Sequence, residues 1–376
     1  MTATFLAVIL ALPGGAATKA TKPSREAEKA FDAGVVLFEQ ADFERALARF
    51  NSAIALFPGW KTATSYRAMC RWTMGDLQGA AQDADMGLKL KPNTADSFVA
   101  RGKARLVMRD YDGAIEDFKA AAGLDPESAE AHFGVGSALS AKGDASGALK
   151  PLENAVRLNP DFAAALLVRG TVKDKLRDFA GAVKDYSRVL EINPRFGWAK
   201  FYRGKSLREI KEYKRSLEDL NDFIESNPER EDALYLRSNV KFLLSDYAGA
   251  VEDLGKVIAL DPHKGLAYSN RGQARALLGD KAGAIADLKK ALELEPSKRE
   301  KIQAVLDGLT ASSEPATPSQ EPALPGANTV DVDTERTSRP ADKRKDDVAP
   351  PEAPREGARE KPAERTSGRD DSIFLQ

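Results

Sequence analysis

Six arginines and six aspartates recur in this chain at one fixed offset, a spacing that carries clear chemistry. Arg67, Arg101, Arg169, Arg203, Arg237 and Arg271 are each followed sixteen residues later by Asp83, Asp117, Asp185, Asp219, Asp253 and Asp287. A planar guanidinium meets a carboxylate through two parallel N–H···O bonds, so the spacing suits an internal ion pair joining two segments. Six cations in a row could also form a ladder for an anionic ligand, which is the less economical reading.

Other reactive groups are sparse. One cysteine, Cys70, excludes an internal disulfide or a thiolate metal cluster, and the only histidines are His132 and His263. There is no GxxxxGK phosphate loop, metal-spaced His or Cys set, or nucleophile motif, so no catalytic residue, metal or cofactor is expected. Fifty-six Lys plus Arg stand against 57 Asp plus Glu, which gives no global electrostatic case for nucleic acid or an anionic membrane.

The elements that must position the Arg and Asp residues are internal repeats. Prolines 58, 92, 126, 160, 194, 228, 262 and 296 are each 34 residues apart. With each proline at position 32, eight units start at 27, 61, 95, 129, 163, 197, 231 and 265. Position 8 is small (Gly34, Ala68, Gly102, Gly136, Gly170, Gly204, Ser238, Gly272), and position 20 is Ala or Ser throughout. Small residues there let two helices approach closely. Position 16 is always Asp or Glu, suiting a turn and a helix start, and the proline ends the second helix. Each unit reads as helix, turn, helix, stop.

The small residues at 8 and 20, the aromatic or apolar residue at 24 (Phe50, Phe118, Leu152, Tyr186, Leu220) and the proline at 32 resemble the tetratricopeptide repeat (TPR) family over residues 27–296. The resemblance implies an all-α, right-handed solenoid of eight helix-turn-helix units that binds another protein. Two positions depart from the family pattern. Position 7 is often Arg instead of apolar, and position 11 is basic in Arg71, Arg105, Lys173, Lys241 and Arg275. Arg at 7 faces the packing side, and the ion pair with Asp at 23 is expected within each repeat. The two units without this Arg also lack the Asp, with Ala33 opposite Arg49 and Val135 opposite Pro151.

The opposite face, positions 2, 5, 9 and 12 of the first helices, is expected to line a concave groove. Its richest stretch is Trp198, Phe201, Lys205 and Arg208, followed by Tyr235, Asn239 and Phe242. Aromatic anchors among basic and amide groups suit an extended peptide. Asn239 and Asn270 stand at two of the five positions with which some family members clamp a terminal carboxylate. Tyr235 replaces the first lysine and no third full unit follows, so that clamp is not expected.

The ends read differently. An apolar run from Phe5 to Leu12 and small residues after it suggest a signal peptide over 1–20, hence export to a periplasm or the exterior, with a disordered leader on a cytoplasmic protein as the alternative. The run is too short to span a bilayer. Residues 21–26 read as a short linker, 297–309 as a capping helix and 310–376, rich in Pro and mixed charge, as a disordered tail ending in an apolar SIFLQ. That tip is read as an ordinary chain end, with a docking motif as the alternative. The expected function is a non-enzymatic scaffold holding a peptide or partner segment in its groove. The alternative is an accessory factor that holds envelope polysaccharide or unfolded protein there.

Overall fold

The computed structural model describes residues 22–311. The signal peptide expected over 1–20 and the tail beyond Ala311 lie outside the described residues. Helices follow in pairs, one pair to a repeat: α1 (Arg25–Glu39) with α2 (Phe43–Leu56), α3 (Lys61–Thr73) with α4 (Leu77–Leu88), α5 (Ala95–Val107) with α6 (Tyr111–Leu124), and α7 (Ala129–Lys142) with α8 (Ala145–Leu158). Then come α9 (Ala163–Lys175) with α10 (Phe179–Ile192), α11 (Gly197–Glu209) with α12 (Tyr213–Ser226), α13 (Glu231–Leu243) with α14 (Tyr247–Leu260), and α15 (Gly265–Leu277) with α16 (Lys281–Leu294). A last helix, α17 (Arg299–Ala311), follows a single 3-10 turn. No strand occurs among the described residues. The fold is all-α.

The turn inside each repeat is built the same way. Position 15 turns left-handed in all eight repeats, at Gly75, Gly143 and Gly279 but also at Ala41, Arg109, Arg177, Lys211 and Ser245, whose φ lies between 57° and 65°. The next backbone N–H then reaches back to the carbonyl of position 11, as Asp42 N does to Leu37 O at 2.9 Å. This closes the first helix with the reversed bond that a left-handed residue permits. In the seven repeats with Asp at position 16 its side chain caps the second helix by accepting from the backbone N–H three residues on, as Asp144 does from Gly147 at 2.8 Å, whereas Glu212 in the sixth makes no such bond.

Glycine at that third position has a steric reason. A Cβ on Gly79, Gly113, Gly147, Gly181, Gly249 or Gly283 would stand 2.1 to 2.2 Å from the capping carboxylate. Arg45 occupies the place in the first repeat, and its cap bond is stretched to 3.2 Å. The second helix ends where the proline fixes the residue before it in extended backbone, as at Asp125 (φ −135°, ψ 91°).

The small residue at position 8 is where the two helices touch. A Cβ on Gly34 would lie 2.6 Å from the Phe50 ring, and one on Gly102 would lie 2.8 Å from the Phe118 ring. Positions 8 and 24 therefore exchange volume, with the aromatic ring occupying space that the glycine leaves.

The chain forms two compact units. One runs to Arg177 and includes Arg188–Phe196; the other comprises Asp178–Ser187 and the chain from Gly197. In the first unit α1 reaches α9, four repeats away, as well as its neighbours α2 and α3. In the second unit α17 buries Ile302 and Leu306 against Leu288 and Ala291, covering the apolar face of the last repeat.

Gly102→Ala should lower stability by about 1–3 kcal/mol through overpacking against Phe118. Gly123→Ala, which meets nothing within 4 Å, should raise it by up to about 1 kcal/mol. Urea unfolding of the two variants, followed by helical signal, checks both signs.

Candidate functional site

In the second unit, α11, α13 and α15 carry the side chains expected to bind a ligand. The structure divides them between core and surface. Trp198 is half-buried, with its ring centroid 5.7 Å from that of Phe201 and 5.1 Å from that of Phe223, and the Arg230 guanidinium lies 4.9 Å from its centre. Phe201 is only 8% exposed and packs with Leu220 and Phe223. Lys205 is exposed. Arg208 is buried along its length and pairs with Glu209.

One repeat further, Tyr235, Asn239 and Asn270 meet. Asn270 Nδ2 donates to the Tyr235 hydroxyl at 3.0 Å and to Asn239 Oδ1 at 3.2 Å. The Lys264 ammonium lies 5.0 Å from the Tyr235 ring centre and pairs with Glu231. Phe242 is half-buried beside Tyr247, at the rim of a dimple lined by Asn239, Asn270 and Gln273 that has no room for a water molecule.

The expectation of an open, apolar face therefore needs correction at four of the eight residues. All of Phe201, Arg208, Asn239 and Asn270 are buried: Phe201 packs on Leu220 and Phe223 of α12, Arg208 pairs with its neighbour Glu209, and the two asparagines meet between α13 and α15. A buried amide needs a partner, and the two asparagines supply one to each other. Trp198, Lys205, Tyr235 and Phe242 keep solvent-accessible surface.

In the first unit most of the corresponding face is packed, with Phe31 and Trp72 left half-buried. Phe38, Val99, Leu106, Phe133 and Leu167, all expected to line a groove, are at most 3% exposed. Among them sits a polar cluster that repeat averaging conceals. The Lys103 ammonium, on α5, lies 4.0 Å from the Tyr66 ring centre and 4.9 Å from that of Phe38, and bonds Glu130 Oε1 at 2.8 Å. The Tyr66 hydroxyl donates to the other oxygen of Glu130. Burial and the Glu130 charge hold the Tyr66 hydroxyl well above its ordinary value, so it stays protonated and a donor. Nearby, Glu39 accepts from Asn159 Nδ2 at 3.1 Å. Burial first, and then the Glu130 charge, push the Glu39 carboxyl up to about 7, against the pull of Lys103 and Asn159. No single position marks this cluster in the sequence: Tyr66, Lys103 and Glu130 come from three different repeats, and each type recurs at its own repeat position elsewhere, as Tyr202, Lys205 and Glu28.

Comparison with known proteins bears on what these faces belong to. Residues 31–95, 99–161 and 141–195 match one tetratricopeptide repeat model and 265–298 match a second, a little over half of the chain together. The chain belongs to the tetratricopeptide repeat family. Among solved structures, the crystal structure of the APC/C hetero-tetramer Cut9-Hcn1 matches at 14% identity and TM-score 0.58, over 74% of this chain and 55% of that one. YrrB, described as a TPR protein with an unusual peptide-binding site, matches at 21% identity and TM-score 0.47, over 50% and 98%. MamA from Desulfovibrio magneticus matches at 24% identity and TM-score 0.43, over 45% and 96%. No curated protein matches.

The TPR array explains the arginines directly. Arg67, Arg101, Arg203, Arg237 and Arg271 each give Nε and Nη2 to the two oxygens of the aspartate sixteen residues on, at 2.6 to 2.8 Å. The expected ion pair within the repeat is what joins the helices, and the forks face carboxylates in place of an external anion. A further N–H crosses to position 25 of the preceding repeat: Arg67 to Asn51, Arg203 to Ser187 and Arg237 to Asn221. The basic residue at position 11 is a second cation on the same aspartate. Arg71, Arg105, Lys241 and Arg275 lie 2.8 to 3.1 Å from it. Three of them, Arg71, Arg105 and Lys241, also bond the carbonyl of position 19.

No group of three or more His, Cys, Asp or Glu is placed to hold a metal among the described residues, and no described helix is long and apolar enough to cross a membrane. Cys70 is buried, and desolvation pushes its thiol up to about 12. It should resist a thiol-modifying reagent at pH 8 in the folded chain and react fully in denaturant, read by intact mass.

Arg203→Met leaves Asp219, 8% exposed on its side chain, without its fork, and should cost about 3 kcal/mol. Arg203→Met with Asp219→Leu should fall within about 1 kcal/mol of wild type. An equal loss in single and double variants, by urea titration, would show that the pair is not what matters there.

Proposed function

We propose that this protein is an interaction scaffold that holds a segment of a partner protein on the inner face of its second unit, with no chemical change to either. The supporting observation is the contrast between the two units. The first unit spends most of its inner face on its own packing and keeps only the separated Phe31 and Trp72 half-buried there, whereas the second leaves Trp198, Tyr235, Phe242 and Lys205 accessible along adjacent helices. Half-exposed aromatics held rigid from behind cost little entropy when they bind and supply large contact area. Buried Asn239 and Asn270 act on this reading as positioning residues for Tyr235 instead of direct ligand contacts. Phe201 supports Trp198, and Arg208 is held by Glu209. Export, read from residues 1–20, belongs to the same proposal and places the partner in the periplasm or outside the cell.

The test uses the half-exposed and exposed residues, since truncating the buried ones would confound binding with folding. The immobilised full chain is compared with Phe242→Ala and Lys205→Glu, with Lys119→Glu on an outer helix face as control. Helical content is checked for each. Retention of a protein should fall by about tenfold for the first two, the effect of losing an anchoring contact of about 1.4 kcal/mol, and stay unchanged for Lys119→Glu. Equal retention by all four sinks the assignment. Retained material that survives protease would favour a polysaccharide instead.

A further inference from the structure

The first repeat is fastened to repeats much later in the chain. Glu39, the last residue of α1, accepts from Asn159, 120 positions away, and the Gln40 carbonyl accepts from Asn193 Nδ2 at 3.4 Å. Phe43, opening α2, sets its ring edge-on to Phe196 with centroids 6.1 Å apart. These contacts close the inner face of the first unit over the Lys103, Tyr66 and Glu130 cluster. From this geometry we infer that Glu39 is the titrating latch of a clasp: protonated, it holds the first repeat closed against the end of the fourth, and ionised, it loosens that repeat.

The charges around Glu39 support this assignment. It ends a helix, where the backbone carbonyls disfavour an anion. Of the charged groups acting on it, Glu130 on α7 repels the ionised form and Lys103 on α5 attracts it. Lys103 is already shared with Glu130 and two aromatic rings, so the only cation acting on Glu39 is committed. The third acid of the cluster, Asp96, is also held above its ordinary value, first by burial and then by Glu130 and Asp125, so negative charge is in surplus there. Glu44 on α2, Arg67 and Arg71 on α3, and Lys173 and Lys175 on α9 are charges on the elements that pack on α1, and none is among the groups that shift Glu39. Asn159 is neutral and bonds either form.

The sign follows from where the proton is held. Glu39 binds its proton more tightly closed, at about 7, than at the ordinary 4.5 expected of it when released. Closure is thus fully favoured below 4.5 and weakens as pH rises through 7. From these two values the opening constant should grow about tenfold between pH 6 and pH 8.5. The inference is independent of what the second unit binds.

The experiment is amide hydrogen exchange of the full chain at pH 6, 7, 8 and 8.5, corrected for intrinsic rates, with protection read for α1 and α2 peptides. Wild type should lose about tenfold in protection of these peptides across the range, with peptides of α13 to α16 flat. Glu39→Gln keeps an acceptor for Asn159 and, being neutral throughout, should abolish the pH dependence and hold α1 and α2 about thirtyfold more protected than wild type at pH 6. Asn159→Ala should lower protection of α1 at every pH. A wild-type profile shared by Glu39→Gln would overturn the assignment, since His132 or another group would then carry the dependence. So would a Glu39 carboxyl carbon titrating near 4.5 by NMR, a readout that does not depend on any variant folding.

Discussion

The fork between an arginine on the first helix of a repeat and an aspartate on the second fixes how the two helices sit. Asp83, Asp117, Asp219, Asp253 and Asp287 are almost wholly removed from water. A buried carboxylate without its cation is expensive, so any slip of one helix along the other that breaks the fork is penalised. Such a pair contributes little net stability over apolar packing; its contribution is register. The neighbouring small residue at position 8 allows the approach that brings the two charges together. The crossing bond to position 25 of the preceding repeat extends the same constraint from within a repeat to the joint between repeats. The extra cation at position 11 lets one aspartate bind two helical turns of the first helix.

Against that regular frame, side chains brought together from different repeats carry the differences between the two units. Lys103, Tyr66, Glu130 and Glu39 turn the inner face of the first unit into a polar core with more carboxylates than cations. Low local dielectric strengthens the bonds that are made there and makes any excess charge costly. On the inner face of the second unit Trp198, Tyr235 and Phe242 are only half covered, and Asn239 and Asn270 bond one another. The same backbone scaffold therefore presents a face largely closed on itself in one unit and a face with more available surface in the other.

Much of this was legible in the chain itself. Caps at position 16, stops at position 32, the close approach at position 8 and the Arg–Asp fork are contacts within a repeat, and eight copies of a local rule reinforce one another. The meaning of the basic residue at position 11 was not legible, because the aspartate already had a partner in sequence and nothing in the spacing said that it takes two. The left-handed turn at position 15 was equally hidden, since five of its eight occupants are ordinary side chains.

The inner faces show where sequence stops. Helical periodicity placed Phe201 and Asn239 on one face of their helices but could not say whether that face meets water or a neighbour. Nor could it bring Glu39 to Asn159. Both depend on the small rotation from each repeat to the next, which is set by side-chain volumes at every joint and accumulates along the chain. Sequence alone determined the repeat, its caps, its turn and its internal ion pair, because each is settled between residues on adjoining helices. Tertiary structure decided which faces are spent on packing and which acids lie together, because burial and local dielectric exist only once distant repeats have met.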